Sequence, residues 1–514
     1  MPYDYRPFEI RRAPGLDAPE PRHKVLIVGA GPIGLALAID LAQQGVPSVL
    51  VDDNNVVSVG SRAICWSKRS LEILDRLGIG AQAVAKGVTW KVGRTFHRDR
   101  EVFNFDLLPE DGHKMPAFVN LQQYYVEEYL VARAMALPLI DLRFKNAVTG
   151  VERHADHVVA SIDTPEGAYR LEADWLVACD GARSPVRGML GLDFVGELFE
   201  ERFLIADIEM KGDFPSERWF WFEPRFHPGQ SALLHKQPDN IYRIDLQLGW
   251  DSDPEEERKP ERILPRIEKV VGHGDFRLDW ASIYTFQCRR LARFVHGPVI
   301  FCGDSAHVVS PFGARGGNGG LQDVDALGWR LARVVRGADP ALLDAYDAER
   351  QFGADENIRN SARSTRFMSP APGAERIFRD AVLALAAEAP FARPMVNSGR
   401  LSQPCVYPSC DAPDDPALPV AARPGAVAPD APVGNGWLTE ALGGDFAVLA
   451  VGCAAPDAGI RIVAPVVTDM LRARYLGASP GAVYLIRPDQ VIAARWQVAD
   501  AAAVRAALAA AGGA

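Results

Sequence analysis

Three short segments combine residue types suited to holding a nucleotide: Gly29-Ala-Gly-Pro-Ile-Gly34, Asp180-Gly-Ala-Arg-Ser-Pro-Val-Arg187, and Gly303-Asp-Ser-Ala-His307 running on to Asn318. In the first, Gly29, Gly31 and Gly34 permit a tight turn and close backbone approach. Pro32 and Ile33 then open a helix whose free N–H groups and positive end suit a pyrophosphate. Asp52 follows Gly29 by 23 positions, the spacing at which an acid bonds a ribose in a βαβ unit. Asp180 and Asp304 are placed to accept from sugar hydroxyls, Gly181 lets a ligand pass close by, and Arg183 and Arg187 offer charge to phosphate. Each segment alone also reads as an ordinary turn. Together, in this order, they indicate a bound flavin.

These segments need rigid elements to place them. Residues 24–28 are continuously apolar up to the first glycine and predict a buried parallel strand. The helix that follows sets Ile33, Leu37 and Leu41 on one stripe and Gly34, Ala38 and Ala42 on another, so its small-residue side can sit close to the sheet; Gly45 ends it. Residues 48–51, 175–179 and 299–302 predict further strands that carry Asp52, Asp180 and Asp304 to their C-terminal ends, where ligands gather in open α/β sheets. A glycine-rich loop, 310–320, leads into a helix with Leu321, Val324, Leu327, Leu331 and Val334 on one face. Asp323 and Asp325 near its start and Arg330, Arg333 and Arg336 near its end complement its dipole.

Between about 195 and 290 the texture changes to alternating, aromatic-rich runs such as Trp219-Phe-Trp-Phe222, which predict a mainly antiparallel sheet inserted between the second and third segments. After about residue 370 the chain is rich in Ala and Pro. Residues 404–432 read as a linker, and strands at 446–451 and 483–486 with a terminal Ala-rich helix predict a compact α/β tail.

The chain has 514 residues with a net charge of −10, 48% hydrophobic and 24% charged residues, which fits two or three soluble domains. The acidic balance argues against a nucleic-acid partner, since a phosphate backbone needs a basic face. No apolar run is long enough for a membrane span, and the first residues lack the apolar core of a signal peptide, so a cytoplasmic protein with no membrane partner is expected. Seven cysteines with no C-x-x-C pair fit neither a disulfide framework nor a zinc ribbon; no metal site is expected, the Cys405/Cys410 pair included.

Candidate chemistry beyond nucleotide binding falls in two places. Pro311, Arg315, Gly316, Gly317 and Asn318 form a loop and helix start suited to a reduced flavin anion, with Arg315 adding a positive charge. In the inserted sheet, Tyr242, Tyr284, His227 and His235 are candidate proton acceptors, and Arg218, Arg225 and Arg243 candidate partners for a substrate carboxylate. His307, beside Asp304, reads better as holding its loop in shape than as doing chemistry.

These residues resemble the FAD-dependent aromatic hydroxylases, the single-component flavoprotein monooxygenases of the p-hydroxybenzoate, phenol and 3-(3-hydroxyphenyl)propionate hydroxylase type. The match runs from about His23 to Arg350. It takes in the Gly29/Gly31/Gly34 turn with Asp52, Ser61-Arg62-Ala63, Gln123 in the run to Glu127, Asp180-Gly181 with Arg187, Arg290-Leu-Ala-Arg293 leading to Gly303-Asp304, and 343–350.

The resemblance implies an α/β fold: a Rossmann-like FAD-binding domain interleaved with an antiparallel-sheet substrate domain, plus a C-terminal thioredoxin-like α/β domain. The boundaries it suggests are an N-terminal extension at 1–22, FAD domain at 23–195 and 291–400, substrate sheet at 196–290, linker at 401–432 and thioredoxin-like domain at 433–514. It implies that Asp52 binds the adenosine ribose, Arg62 and Gln123 contact the FAD chain, Asp304 holds the ribityl group, and Pro311 to Asn318 line the isoalloxazine. The implied reaction uses NADH or NADPH and O2 to hydroxylate a phenolic substrate through a flavin C4a-hydroperoxide, with a flavin that swings between two positions.

The tail, lacking C-x-x-C, is expected to have a structural or dimerising role, in a homodimer. Gly313-Ala-Arg-Gly-Gly-Asn318 departs from the phenol hydroxylase pattern toward the p-hydroxybenzoate type, with Arg in place of its Lys, so the substrate stays open. Rival readings are epoxidation or oxygen insertion beside a ketone, and a non-catalytic FAD protein whose tail binds a partner. Trp219-Phe-Trp-Phe-Glu-Pro224 nearly matches a flavin-halogenase motif but reads as sheet packing.

Overall fold

The Val-Leu-Ile-Val run forms strand His23–Val28 in the middle of a parallel sheet. The computed structural model describes residues 3–60, 62–212, 214–249, 252–396, 401, 403–408 and 412–513; Ser61 and Cys410 lie outside them. In the sheet, Val299–Phe301, Gly167–Ala178, His23–Val28, Ser48–Asp52 and Ile140–Phe144 lie side by side, all parallel. The order brings the three nucleotide-type segments to one edge, because each follows the C-terminal end of a strand. Helix Pro32–Gln43 lies close on this sheet: a Cβ on Gly34 would fall 1.9 Å from the Gly29 carbonyl oxygen and 3.3 Å from Cys179.

The second sheet has eight strands, of which the 196–290 region supplies Arg277–Arg290, Val195–Glu209, Ile241–Leu248, Ser231–Lys236 and Arg218–Phe222. The remainder corrects the expected boundaries. Val92–His97 pairs parallel with Arg218–Phe222, Arg100–Asp106 extends the sheet beyond it, and His307–Val308 closes the other side. An aromatic edge strand left bare would invite other chains, and here it is covered from an earlier part of the sequence. One face of this sheet buries Leu204, Ile208, Tyr242, Ile244 and Leu246 with Ile263 and Ile267 of helix Pro260–Val271. The other faces the parallel sheet's ligand edge.

Helix Gly316–Val335, here the cleft helix, starts inside the glycine loop, five residues before the expected Leu321. Helix Ala341–Met368, the brace helix, packs along it. The tail forms a mixed four-stranded sheet, Arg461–Val463, Ala447–Val451, Ala482–Ile486 and Ile492–Trp496, with helix Ala501–Ala510 against it.

Residues 404–432 are not a loose linker: Tyr407, Ala422 and Asp430 are buried, and Asp430 accepts from the backbone N–H groups of Lys114 and Thr439. Nor is the N-terminal stretch a free extension, since Ala13 is buried and the Tyr5 hydroxyl accepts from the Gly60 N–H. Among the described residues no helix is long and apolar enough to cross a membrane.

Candidate active site

The first segment is built as its residue types dictate. Gly29 has φ +103°, and a Cβ there would meet the Cys179 carbonyl at 2.6 Å. Gly31 is the informative member. Its φ of −73° is open to any residue, yet a Cβ there would meet no heavy atom within 4 Å. Packing does not require glycine at this point; a bound group lying on the loop would. No side chain caps the helix that follows, so its first N–H groups stay available to an anion. Ile33 fills the space left by Gly303 and Gly320, 3.1 and 2.6 Å from where their Cβ atoms would be, which locks the first segment onto the third.

Three acids open on this cleft. Asp52 accepts from the Ala30 N–H at 2.6 Å and the Asn54 N–H at 2.8 Å, so its carboxylate is drawn across the glycine turn. Asp180 accepts from the Val186 N–H through Oδ2 while its buried Oδ1 has no partner among the described residues. Asp304 is exposed, yet protein surrounds it on most sides: it lines a cleft and does not stand on an outer surface. Restricted hydration raises the pKa of all three above the usual carboxylate value; for Asp304 Asp323 adds to the rise, while His307 and Arg62 oppose it. Orphaned acceptors and an open glycine cradle on one cleft fit the ribose hydroxyls and phosphates of FAD.

The supporting residues divide. Gln123 accepts from the Ala63 N–H at 3.1 Å and donates to Glu127 and Ser58, so it ties Ser58 and Ala63 to its own helix. Arg62, between them in sequence, is exposed. Arg187 departs from the phosphate-binding expectation: its guanidinium donates to the carbonyls of Ser305 (3.1 Å) and Ala182 (2.7 Å) and lies 3.8 Å above the Phe194 ring, tying the second segment to the third.

The loop after Asp304 wraps the start of the cleft helix. Pro311 is exposed and Phe312 buried. Gly313 and Ala314 both have positive φ, +92° and +52°, an uncommon conformation for alanine that the Asn318 amide holds by donating to the Ala314 carbonyl at 2.6 Å. Asn318 also donates to the Cys65 carbonyl and accepts from the Ser67 N–H, while Gly317 lies against Trp66. A Cβ on Gly316 would lie 4.0 Å from Asp304 Oδ1, so the positive helix end and the acid share one corner. Arg315 is buried and donates to Asn357 of the brace helix at 3.2 Å, adding charge beneath the loop.

His307 is structural. Its Nε2 lies 2.7 Å from Asp323, which also accepts from the Gly303 N–H and from Arg350 Nε at 2.6 Å; Arg350 in turn donates to the Tyr407 hydroxyl. Burial alone would raise Asp323, but His307 and Arg350 hold it down at about 2. The expected dipole complement therefore needs correcting: Asp323, Asp325 and Arg330 are buried members of ion-pair networks, with Asp325 bound to Arg69 and Arg76 and Arg330 to Glu349.

On the second sheet two candidates fall away. Tyr242 is fully buried on the far face and donates to the Gly212 carbonyl at 2.7 Å. The His227 ring lies 2.6 Å from the Gln247 carbonyl, and burial lowers its pKa. Arg225 pairs with Asp99 at the surface, and Arg243 is bound to Asp207 through two 2.8 Å contacts. Period-2 alternation puts different side chains toward the cleft, in three rows: Arg218, His235, Arg243 and Asp207; Phe220, Leu233, Asp245, Ile205 and Ser282; Phe222, Ser231, Gln247, Phe203 and Tyr284. Phe203 meets the Phe312 ring at 4.9 Å, so this face adjoins the flavin-type loop. Asp245 went unnoticed in the sequence; its place one step along from Arg243 on a strand was the only signal. The halogenase-like tryptophans point the other way, Trp221 stacking on Phe96.

The sequence profile of the FAD binding domain matches residues 22–361. A 12-dehydrotetracycline 5-monooxygenase/anhydrotetracycline 6-monooxygenase of Streptomyces rimosus is 31% identical over 68% of this chain and 71% of its own. A 3-(3-hydroxy-phenyl)propionate/3-hydroxycinnamic acid hydroxylase of Mycobacterium sp. (strain JLS) is 29% identical over 83% and 75%. A crystal structure of a flavin-dependent monooxygenase in complex with FAD and substrate superposes over 96% of this chain and 100% of that one, with a TM-score of 0.80 at 21% identity, a likeness of fold.

Proposed function

The chain belongs to the FAD binding domain family of flavin-dependent monooxygenases, and from that premise we propose that it hydroxylates a phenolic small molecule with NADH or NADPH and O2. The observation that supports this most directly is the adjacency of two unlike surfaces: a cleft of open glycines and underbonded acids, and an aromatic sheet face that meets it at Phe312. When bound, FAD supplies a two-electron carrier between the nicotinamide and O2, and activated oxygen for the ring.

The chain's own part is to hold and shield. Gly29, Gly31, Pro32, Ile33 and Gly34 cradle the pyrophosphate; Asp52 takes the adenosine ribose; Asp180 and Asp304 accept from the remaining hydroxyls. The cleft-helix N-terminus at Gly316, Gly317 and Asn318, with Arg315 beneath, stabilises negative charge on the reduced ring. Pro311, Phe312 and the aromatic side chains of the second sheet keep water from the reacting atoms. A phenolic ring would be received between that face and the loop, where Phe203 meets Phe312. The tail, a mixed sheet with a terminal helix and Cys453 as its one cysteine, is read as a thioredoxin-like domain of structural or dimerising role without dithiol chemistry.

The test is to purify the yellow protein and screen phenols for accelerated NADH and NADPH consumption matched by product. A ketone that speeds consumption while no phenol does would overturn the reading, and so would consumption indifferent to every substrate.

A further inference from the structure

Two oppositely charged side chains on the cleft-facing side of the second sheet each keep a buried polar atom without a hydrogen bond among the described residues. These atoms are Arg218 Nε and Asp245 Oδ1. They lie on the same face, with strand Ser231–Lys236 between their strands. Phe220, Leu233 and Ile205 share Asp245's row, with Ser282 at its end, while the neighbouring row places His235, Arg243 and Asp207 beside Arg218. Leaving a buried polar atom of a charged group without a hydrogen bond costs about 1–3 kcal/mol or more, so a site that keeps two of them is shaped for a ligand offering both a donor and an acceptor.

Resting on the monooxygenase reading, we propose that Asp245 is the proton acceptor for the substrate's aromatic hydroxyl and that Arg218 holds the oxyanion so formed. The substrate O–H bond breaks, an O–H bond forms on Asp245, and the electron pair stays on the substrate oxygen facing the guanidinium. The proton leaves to water when product departs.

Other groups around the site are already committed. Asp207 is held by Arg243 and Gln237. His235, 3.9 Å from Cys65 Sγ, is held neutral by burial and by Arg218 and Arg243 on either side. Tyr284 keeps its proton more firmly than usual, through burial and Asp304. Asp245 itself is raised by burial and by Asp207 and lowered by Arg243 and Arg218, to about 6. A base poised near working pH is what proton transfer from a phenol needs.

The experiment binds 4-nitrophenol, whose anion is coloured, to the FAD-loaded protein at about pH 6.5, below the probe's own ionisation, and reads its difference spectrum. Wild type is expected to hold the anion. Asp245→Asn, with unchanged FAD content and a thermal midpoint no lower than that of wild type, should hold at least about tenfold less of it, Asp245→Glu should restore part, and Arg218→Met should weaken binding about tenfold or more. Equal ionisation on wild type and Asp245→Asn, or no binding to wild type, overturns the assignment. If wild type turns over a phenol while Asp245→Asn ionises the probe unchanged, this assignment alone falls; if no phenol is turned over, the monooxygenase reading falls with it.

Discussion

Asp304 and Asp323 are near neighbours yet electrostatic opposites. Asp304 looks into the cleft with a raised pKa, whereas Asp323 is sealed on the buried side of the cleft helix, takes hydrogen bonds from His307, Gly303 and Arg350, and is held at about 2. The same division runs through the molecule. Asp52, Asp180 and Asp245 are raised chiefly by burial, while Glu72, Glu349 and Asp489 are lowered by the arginines or lysine that outweigh their burial. Acids that a ligand completes carry a desolvation cost in its absence; acids that brace the fold are saturated by cations.

The comparison is broken most sharply at its saturated end. Arg350→Met leaves Asp323 buried without its cation, and a loss of about 3–5 kcal/mol in unfolding free energy is expected by denaturant titration. Because the Asp323 pKa is depressed, its stabilising contribution is complete above the ordinary carboxylate value near 4 and is lost as pH falls toward about 2. Acid unfolding of wild type and Asp323→Asn should therefore converge in that window.

At the open end, Asp304→Ala and Gly31→Ala should lower FAD affinity by roughly tenfold to a hundredfold, read by flavin fluorescence, while the apoprotein's thermal midpoint moves by no more than about 2 °C. A large fall in that midpoint would move these residues into the structural class. Asp245→Asn should do the reverse of Arg350→Met. Its raised pKa means that the wild-type group contributes most stability when protonated and loses it as pH rises through about 6. The variant should gain on the order of 1 kcal/mol relative to wild type between pH 5 and 8, allowing for solvent screening. The smallest effect is expected of Cys405→Ser. That thiol is buried with its pKa pushed up to about 11 by burial, so stability should fall by about 1 kcal/mol with FAD content and turnover intact.

The open acids were legible in the sequence because a strand end, a glycine and an acid are neighbours in the chain; Asp52, Asp180 and Asp304 need only local rules to reach the cleft. The saturated network was not, since Asp323 meets Tyr407 only through Arg350, and Asp325 meets Asp489 only through Arg69, across long stretches of chain. The second sheet failed for another reason. Alternation told that Tyr242 and Arg243 face opposite ways but not which face meets the cleft, and that depended on the packing of helix Pro260–Val271 over Tyr242. The edge pairing of Val92–His97 with Arg218–Phe222 had no local signature at all. Residues 404–432 were misread because Pro and Ala mark loops and also pack well when a tail such as this one covers them.

The network around Arg69 and Arg330 also orders events during synthesis. Arg69 donates to the Asp489 carbonyl and Arg487 clamps Glu349, the partner of Arg330. Translation delivers the cleft helix well before Arg487 and Asp489, so Arg69 and Glu349 have only their upstream partners until the last strands are made. A chain stopped after the brace helix lacks the tail's half of this network, and is expected to expose the surface that the tail covers.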